Sequence, residues 1–257
     1  MTTRAKPTYV TYSSLATFES CPRRYGLNAL FHWRLSMLQK PTRVSYSAIA
    51  TFEECPAEYH YDYISGERID ASSPALNKGN RLHKNVENYL KGDILVEQLA
   101  TELYPIRDYL VTFKQLEARS EEVWLVNRDW EVEEQESENT FIKAITDVHY
   151  LLTPTLFIVD LKSGQRYPEH ADQLHLYALM GLVKYPEAEK VMVSALYLDG
   201  PGPQYTYHRK DLEGLKLWWT ARANRVLDAI EYPPTPSASS CKWCSYAKSK
   251  KGPCEHG

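Results

Sequence analysis

The stretch that decides the fold is Thr155-Leu156-Phe157-Ile158-Val159-Asp160-Leu161-Lys162-Ser163-Gly164, an apolar run that ends in two charges and a turn signal. Its β-branched and aromatic residues predict a buried strand. Because side chains alternate between the faces of a strand, Asp160 and Lys162 share one face. Isolated buried charge is unfavourable, so these groups must pair with each other, bind a metal or open onto a solvated cleft. The stretch therefore predicts a functional cleft at the end of a strand.

Further motifs surround this strand in a fixed order along the chain. Gly79-x3-His83-x3-Glu87 comes first, then Asp147, and Gln173-x3-Tyr177 follows the strand. On a helix, residues four apart lie on the same face, so His83 and Glu87 are neighbours. Each motif alone also fits an ordinary surface ion pair or helix surface, but the ordered set is a strong signal. The set predicts a nuclease site.

Hydrophobic periodicity and turn residues predict an alternation of helices and strands. We expect helices over 80–90, 94–118, 169–184 and 212–230 and strands over 122–130, 140–152, 155–162, 190–198 and 204–208. Residues 8–25 and 42–59 match at eleven positions, a local duplication of one helical element with Ser13 and Ser47 as candidate N-caps. The expected organisation is a duplicated helical element (1–41), a cysteine-bearing helical segment (42–78), a nuclease core (79–232), and a linker with a cysteine cluster that docks back on the N-terminal segment (233–257).

Composition limits the cellular setting. The formal net charge is −3 and the isoelectric point is about 6.3, so a DNA-binding face would have to be local. No apolar stretch approaches the roughly 20 residues that span a bilayer, which predicts a soluble, cytoplasmic protein without a membrane partner. Three of the five cysteines fall within the last seventeen positions, a pattern typical of metal ligation in a reducing compartment.

The order of helix, three strands, helix and strand, together with these motifs, resembles the RecB-like PD-(D/E)xK nucleases. The resemblance covers about residues 42–257 and is closest to phage and CRISPR-associated exonucleases that carry an iron–sulfur cluster. Gln173-Leu174-His175-Leu176-Tyr177 is the feature most particular to the RecB branch. The resemblance implies an α/β fold with a restriction-endonuclease-like core, in which helices flank a central mixed sheet, and a C-terminal cysteine cluster.

A metal site is the first chemical expectation, because phosphodiester hydrolysis needs a cation to neutralise developing charge. Carboxylates from Asp147 and Asp160 suit Mg²⁺ or Mn²⁺, and an imidazole from His83 tilts the choice towards Mn²⁺. By resemblance, the main-chain carbonyl of Leu161 completes the protein ligands. Glu87 is a candidate for a further ligand or for a partner that orients one.

The remaining motif residues are expected to act on the substrate. Lys162 can orient or deprotonate the attacking water and stabilise the pentacoordinate phosphate. The resemblance implies that Gln173 and Tyr177 contact the DNA backbone or brace the site.

Two arrangements of the cysteines remain open. The resemblance implies that Cys55, Cys241, Cys244 and Cys254 hold a [4Fe–4S] cluster that ties the two ends of the chain together. The alternative is a self-contained zinc site, with His256 replacing Cys55 as the fourth ligand. The nine-residue gap before Cys254 is longer than the family's usual last spacing, and Cys21 is left as a spare thiol. Four lysines around this cluster form the clearest basic patch: Lys242, Lys248, Lys250 and Lys251.

The sequence thus predicts a metal-dependent DNA exonuclease that acts on ends, with single-stranded ends as the expected substrate, in end processing, recombination or phage DNA metabolism. The exonuclease assignment follows from the resemblance. The alternatives are a non-hydrolytic DNA-binding module on the same fold, and a recombination or spacer-acquisition partner with a structural zinc or iron–sulfur site.

Overall fold

A six-stranded mixed sheet forms the centre of the chain in a computed structural model that describes residues 40–66, 69, 73–166 and 170–257. The strand order is β2-β1-β3-β4-β5-β6, and every neighbouring pair is antiparallel except β4 and β5. The strands are β1 (Arg119–Asn127), β2 (Val132–Glu133), β3 (Thr140–Leu152), β4 (Thr155–Lys162), β5 (Lys190–Tyr197) and β6 (Gly200–His208). The predicted α/β fold with a central mixed sheet is confirmed.

Helices pack on both sides of this sheet, and 3₁₀ turns connect several of them. The helices are α1 (Tyr46–Glu54), α2 (Pro56–Tyr59), α3 (Pro74–Lys91), α4 (Arg107–Gln115), α5 (His170–Lys184), α6 (Leu212–Leu227) and α7 (Ser240–Trp243). Helix α2 continues as a π-helical turn over His60–Ile64, and the 3₁₀ turns are Val96–Gln98, Thr101–Ile106, Arg209–Asp211 and Lys248–Lys250. No helix among the described residues has the length and apolar character needed to cross a membrane.

Two sequence-based expectations about helices are wrong. The helix expected over 94–118 is confined to α4, because Pro105 sits in a 3₁₀ segment before it and cannot donate to a helical ladder. Helix α1 is capped by Ser45, whose hydroxyl accepts from the Ala48 amide at 3.2 Å, and not by Ser47. The first copy of the repeat, with Ser13 and Cys21, lies outside the described residues.

The sheet carries one apolar core on each face. Helix α5 covers the face that carries Leu156 and Ile158 of β4, whereas α3 and the segment up to α4 cover the face that carries Val159 and Leu161. A β-carbon at Gly181 of α5 would lie 2.7 Å from Leu156 Cδ2, so only glycine allows this helix to approach the central strand so closely. The close approach holds the C-terminal part of α5 against the first half of β4, at the end of the helix away from the cleft.

The C-terminal segment returns to the N-terminal helices. Tyr246 is 2% exposed and its ring stacks on Tyr61 at 4.7 Å. Its hydroxyl donates to Asp62 Oδ1 at 2.6 Å and accepts from the Ile69 amide at 3.2 Å. This buried tyrosine attaches residues 240–257, hereafter the cysteine module, to the segment that precedes α3.

Candidate active site

An open cleft lies at the carboxyl end of β4, between α3 and the start of α5. Its volume is about 540 Å³. The cleft is lined by residues of α3, β1, β3, β4 and the turn after β4, and these include the motif residues His83, Asp147, Asp160, Leu161, Lys162 and Gln173. Helix α3 reaches the cleft because Ser73 caps its start and Pro74 occupies the first turn. The structure therefore brings the separate sequence motifs to one place.

Three side chains form a potential metal-binding group in this cleft. His83 Nδ1 lies 3.3 Å from Asp147 Oδ1 and 3.5 Å from Glu121 Oε1. One ligand atom from each residue lies within 4.8 Å of the other two, and this is the one such group of histidine, cysteine or acidic side chains in the described part of the chain. An imidazole and two carboxylates suit Mn²⁺ or Mg²⁺.

Glu121 was not predicted as a site residue. The sequence offers Glu121 and Glu122 side by side, and strand periodicity alone does not say which one faces the cleft. Glu122 instead accepts from Trp124 Nε1 at 2.7 Å and pairs with the buried His149 at 2.9 Å. Glu121 has a φ of +53°, a left-handed conformation that is strained in a strand and that the sequence does not reveal.

Leu161 connects the metal-binding group to the central strand through its backbone. Its amide donates to Asp147 Oδ2 at 2.7 Å, and its carbonyl oxygen lies 3.0 Å from His83 Nε2. The backbone N–H of Leu161 therefore orients Asp147, and its backbone C=O orients His83. The carbonyl that the sequence analysis expected as a metal ligand lies against the imidazole.

The charge of His83 depends on its neighbours. Burial alone would lower the pKa of His83, but hydrogen bonds to the carboxylates of Asp147 and Glu121 outweigh burial and raise the pKa to about 10. A bound cation would have to displace the proton on Nδ1, so cation binding at this group releases a proton.

Asp160 and Lys162 form an ion pair at the floor of the cleft. Asp160 is 2% exposed, and Lys162 Nζ lies 2.7 Å from its Oδ2. Apart from this contact with Lys162, Oδ2 accepts no hydrogen bond from any described residue. Burial and the nearby charge of Asp147 raise the pKa of Asp160 to about 7, although Lys162 and His83 oppose both effects. A buried carboxylate oxygen with unused acceptor capacity is a chemically suitable place for a cation.

Gln173 and Tyr177 reach the same floor from α5. Lys162 Nζ donates to Gln173 Oε1 at 2.7 Å, and Gln173 Nε2 donates to the Tyr177 hydroxyl oxygen at 2.8 Å. Burial, together with the charges of Asp160 and Asp147, raises the pKa of Tyr177 well above its usual range, so the phenol stays neutral. The two residues brace the ammonium.

Glu87 lies on the cleft-facing side of α3 but is engaged elsewhere. Its carboxylate pairs with Lys84 at 2.8 Å and with Lys91 at 2.6 Å. These hydrogen bonds lower the pKa of Glu87. These i,i+3 and i,i+4 ion pairs along α3 satisfy the Glu87 carboxylate without a metal.

The described cysteines come together although they are far apart in sequence. All four have free thiols, and they line one small cavity beside Glu58 and His256. The Thr235 amide donates to Cys55 Sγ at 3.5 Å. Burial, with smaller contributions from nearby Glu58, Cys55 and Cys254, raises the pKa of the Cys244 thiol to about 11.

The spacing of these thiols bears on what they can hold. In the described residues, no three ligand atoms from cysteine or histidine lie within 4.8 Å of one another. A tetrahedral zinc site, with Zn–S bonds of about 2.3 Å, places its sulfurs roughly 3.8 Å apart. The four thiols are therefore not gathered as tightly as a tetrahedral zinc site requires.

Comparison with known proteins identifies related sequences and folds. The family model of the PD-(D/E)XK nuclease superfamily matches residues 43–249. No curated protein matches the chain. Among solved structures, the chain is similar to a protein named SSO0001, with a TM-score of 0.46 and 16% identity over 89% of this chain and 96% of that chain. It is also similar to a candidate exonuclease from Eubacterium rectale, with a TM-score of 0.44 and 13% identity over 93% of this chain and 92% of that chain.

Proposed function

Because the chain belongs to the PD-(D/E)XK nuclease superfamily, we propose that it is a metal-dependent DNA exonuclease of RecB type. The observation that carries this proposal is the meeting of three potential metal ligands with the Asp160–Lys162 pair in one cleft. A non-hydrolytic DNA-binding module would not need a buried carboxylate with a spare acceptor beside an oriented ammonium.

The donor set fits a hard divalent cation. His83, Glu121 and Asp147 would hold Mn²⁺ or Mg²⁺, and Asp160, which lines the same cleft, would supply a further carboxylate ligand. When bound, the cation would neutralise charge on the scissile phosphate and lower the pKa of a coordinated water. The net negative charge of these three carboxylates attracts the cation before any substrate arrives.

The chain's own groups would then direct the attacking water. Lys162 Nζ has three protons, and Asp160 and Gln173 occupy two of its directions at 2.7 Å each. The third direction is available for water or for a phosphate oxygen. Gln173 is itself fixed by Tyr177, so the ammonium meets the substrate in one orientation and less reorganisation is needed in the transition state.

We assign the cysteine cavity to a [4Fe–4S] cluster held by Cys55, Cys241, Cys244 and Cys254. Four thiols from both ends of the described chain line one cavity, and they are spaced more widely than the ligands of a single zinc ion. The Thr235 amide that points at Cys55 Sγ matches the hydrogen bonds that commonly stabilise cluster thiolates. This centre would be structural, holding the cysteine module on the helices before α3, and the reducing cytoplasm suits it.

Exonuclease action on single-stranded ends, in recombination or phage DNA metabolism, is the most specific part of the proposal. It is supported by Gln173 and Tyr177, which occupy the positions of the RecB-type motif and brace Lys162.

Release of nucleotides from end-labelled linear DNA tests the proposal. We expect release with Mn²⁺ or Mg²⁺, none in EDTA, and none with Ca²⁺, whose looser coordination does not fix in-line geometry. A covalently closed circular substrate separates exonuclease from endonuclease action. Binding of DNA without metal-dependent release would support the non-hydrolytic module instead.

A further inference from the structure

The cysteine module exposes a basic and aromatic surface that the proposed nuclease site does not use. Between Glu231 and Glu255 the chain carries four lysines and no acidic residue, although the whole chain has a net charge of −3. Trp243 lies between two of the cysteines and is 75% exposed. We call the surface formed by Lys242, Trp243, Lys248, Lys250 and Lys251 the lysine–tryptophan face.

One ring contact and one groove bring Lys242, Trp243 and the 3₁₀ turn with Lys248 and Lys250 to the same part of the cysteine module. Lys242 Nζ lies 5.0 Å from the centroid of the Trp243 ring, so the cation and the indole are neighbours. A groove of about 460 Å³ is lined by Lys242 from α7 and by Ser249 from the 3₁₀ turn that carries Lys248 and Lys250. Lys248 and Lys250 of this turn and Lys251, which follows it, are exposed and form no ion pair with a described carboxylate.

We propose that the lysine–tryptophan face binds a single strand of nucleic acid, with Trp243 as a stacking platform for a base and the lysines as contacts to the phosphates. Single-strand binding surfaces combine a positively charged groove with aromatic side chains on which bases stack. A duplex hides its bases from such a platform, whereas an unpaired strand presents them. The surface therefore favours an unpaired strand, and this deepens the proposed nuclease function on which it rests.

The position of the cysteine module suits delivery of a strand to the cleft. The Ile69 amide contacts Tyr246 of the module, and Ala75 lines the cleft that holds the metal-binding group. Ala75 lies six positions after Ile69, a chain length that spans at most about 22 Å. The cysteine module and the wall of the cleft are therefore attached to the chain at nearby points, and a strand bound on the lysine–tryptophan face would extend towards the cleft from there.

The exposed tryptophan of α6 provides a matched control. Trp218 is 57% exposed, and its ring centroid lies 6.5 Å from that of His175 in α5. If exposure of an indole alone decided binding, Trp218 and Trp243 would contribute alike. The lysines beside Trp243 are what distinguish the two.

Equilibrium binding of a fluorescein-labelled oligodeoxythymidylate, measured by anisotropy in EDTA so that no hydrolysis occurs, tests the proposal. We expect Trp243→Ala to weaken binding about tenfold or more, Trp243→Phe to retain most affinity, and Trp218→Ala to match the wild type. The triple variant Lys248→Gln, Lys250→Gln, Lys251→Gln should reduce the slope of log affinity against log salt by about 0.7 for each lost phosphate contact. Absorbance and iron content verify that each variant keeps its cysteine centre.

Unchanged affinity in Trp243→Ala together with an unchanged salt slope in the lysine variant would overturn the proposal. A preference for a protein partner over the oligonucleotide at the same face would overturn it as well. Failure of the nuclease function looks different: the wild type would bind the oligonucleotide through this face yet release no nucleotides with Mn²⁺. If the wild type releases nucleotides with Mn²⁺ but neither Trp243→Ala nor the triple lysine variant changes oligonucleotide binding, the nuclease function stands and only this inference is overturned.

Discussion

Lys162 Nζ donates a 2.7 Å hydrogen bond to Gln173 Oε1, so the first turns of α5 hold the ammonium that projects from the end of β4. This hydrogen bond joins the Asp160–Lys162 motif of β4 to the Gln173–Tyr177 motif of α5 in one site. Helix α5 is in turn held against β4 by the close approach at Gly181. A substitution at Gly181 can therefore shift α5, and with it Gln173 in the cleft, without touching a metal ligand.

Replacing Gln173 should impair turnover and leave metal binding intact. Gln173→Ala removes the acceptor that orients Lys162, and we expect a fall in kcat of roughly 10- to 100-fold with an unchanged apparent affinity for Mn²⁺. Tyr177→Phe should give a smaller fall, because Gln173 would keep its bond to Lys162. Steady-state cleavage at several Mn²⁺ concentrations measures both quantities. Equal kcat in Gln173→Ala and the wild type would show that the ammonium needs no bracing.

Glu121 should behave as a metal ligand even though the sequence did not single it out. Glu121→Gln should raise the apparent dissociation constant for Mn²⁺ by about tenfold or more, and His83→Ala should raise it further. The matched control is Glu117→Gln, since Glu117 also has a φ of +53° but is exposed and outside the cleft. Isothermal titration with Mn²⁺ gives the comparison. If Glu121→Gln and Glu117→Gln bind Mn²⁺ equally well, Glu121 is not a ligand.

Cys55 should be required for the cysteine centre, because its partners lie at the other end of the chain and ligation closes a long loop. Cys55→Ala should lose iron and the broad absorbance near 400 nm, and it should unfold more easily. Cys21→Ala, or deletion of residues 1–40, should do neither, because the second repeat copy supplies the helix and the thiol. Zinc at one equivalent, retained in Cys55→Ala but lost in His256→Ala, would support the local zinc site. Iron loss in Cys21→Ala alone would assign the ligand to the first copy.

Arg222 should stabilise the attachment of α1 to the helices over the site. Its guanidinium pairs with Glu53 at 2.5 Å and with Asp172 at 3.0 Å, and it lies 4.4 Å from the Trp219 ring centroid. Arg222→Ala should lower the free energy of unfolding by roughly 2 kcal/mol, because a partly buried Glu53 loses its partner.

The neighbouring Arg225 is the control for that measurement. Arg225 is 67% exposed, and its contact with Glu53 is long, at 3.9 Å. Arg225→Ala should therefore change the free energy of unfolding in urea by less than about 0.5 kcal/mol. Equal effects of the two substitutions would mean that net charge, and not the three-way contact, determines stability.

Local patterns predicted much of this molecule because they describe short-range physics. The apolar run that ends at Lys162 became the central strand, and the i,i+4 spacing of His83 and Glu87 placed both on the cleft side of one helix. Glu121 was missed because its orientation depends on one left-handed residue within β1. The partners of Glu87, Lys84 and Lys91, lie on its own helix at i,i+3 and i,i+4, so its pairing is local, although the sequence offered His83 as another neighbour at the same spacing. Tertiary packing decided the case of Glu121.

The most direct test of the central claim is nucleotide release from end-labelled DNA by Lys162→Ala in the presence of Mn²⁺ or Mg²⁺. Removal of the ammonium should lower the rate by roughly 10²–10⁴-fold, because it removes several kcal/mol of transition-state stabilisation. Asp160→Asn and Asp147→Ala should lose activity to a similar extent, while circular dichroism and DNA binding in EDTA stay close to wild type. Near wild-type release by Lys162→Ala in either metal would contradict the assignment of this cleft as the catalytic site.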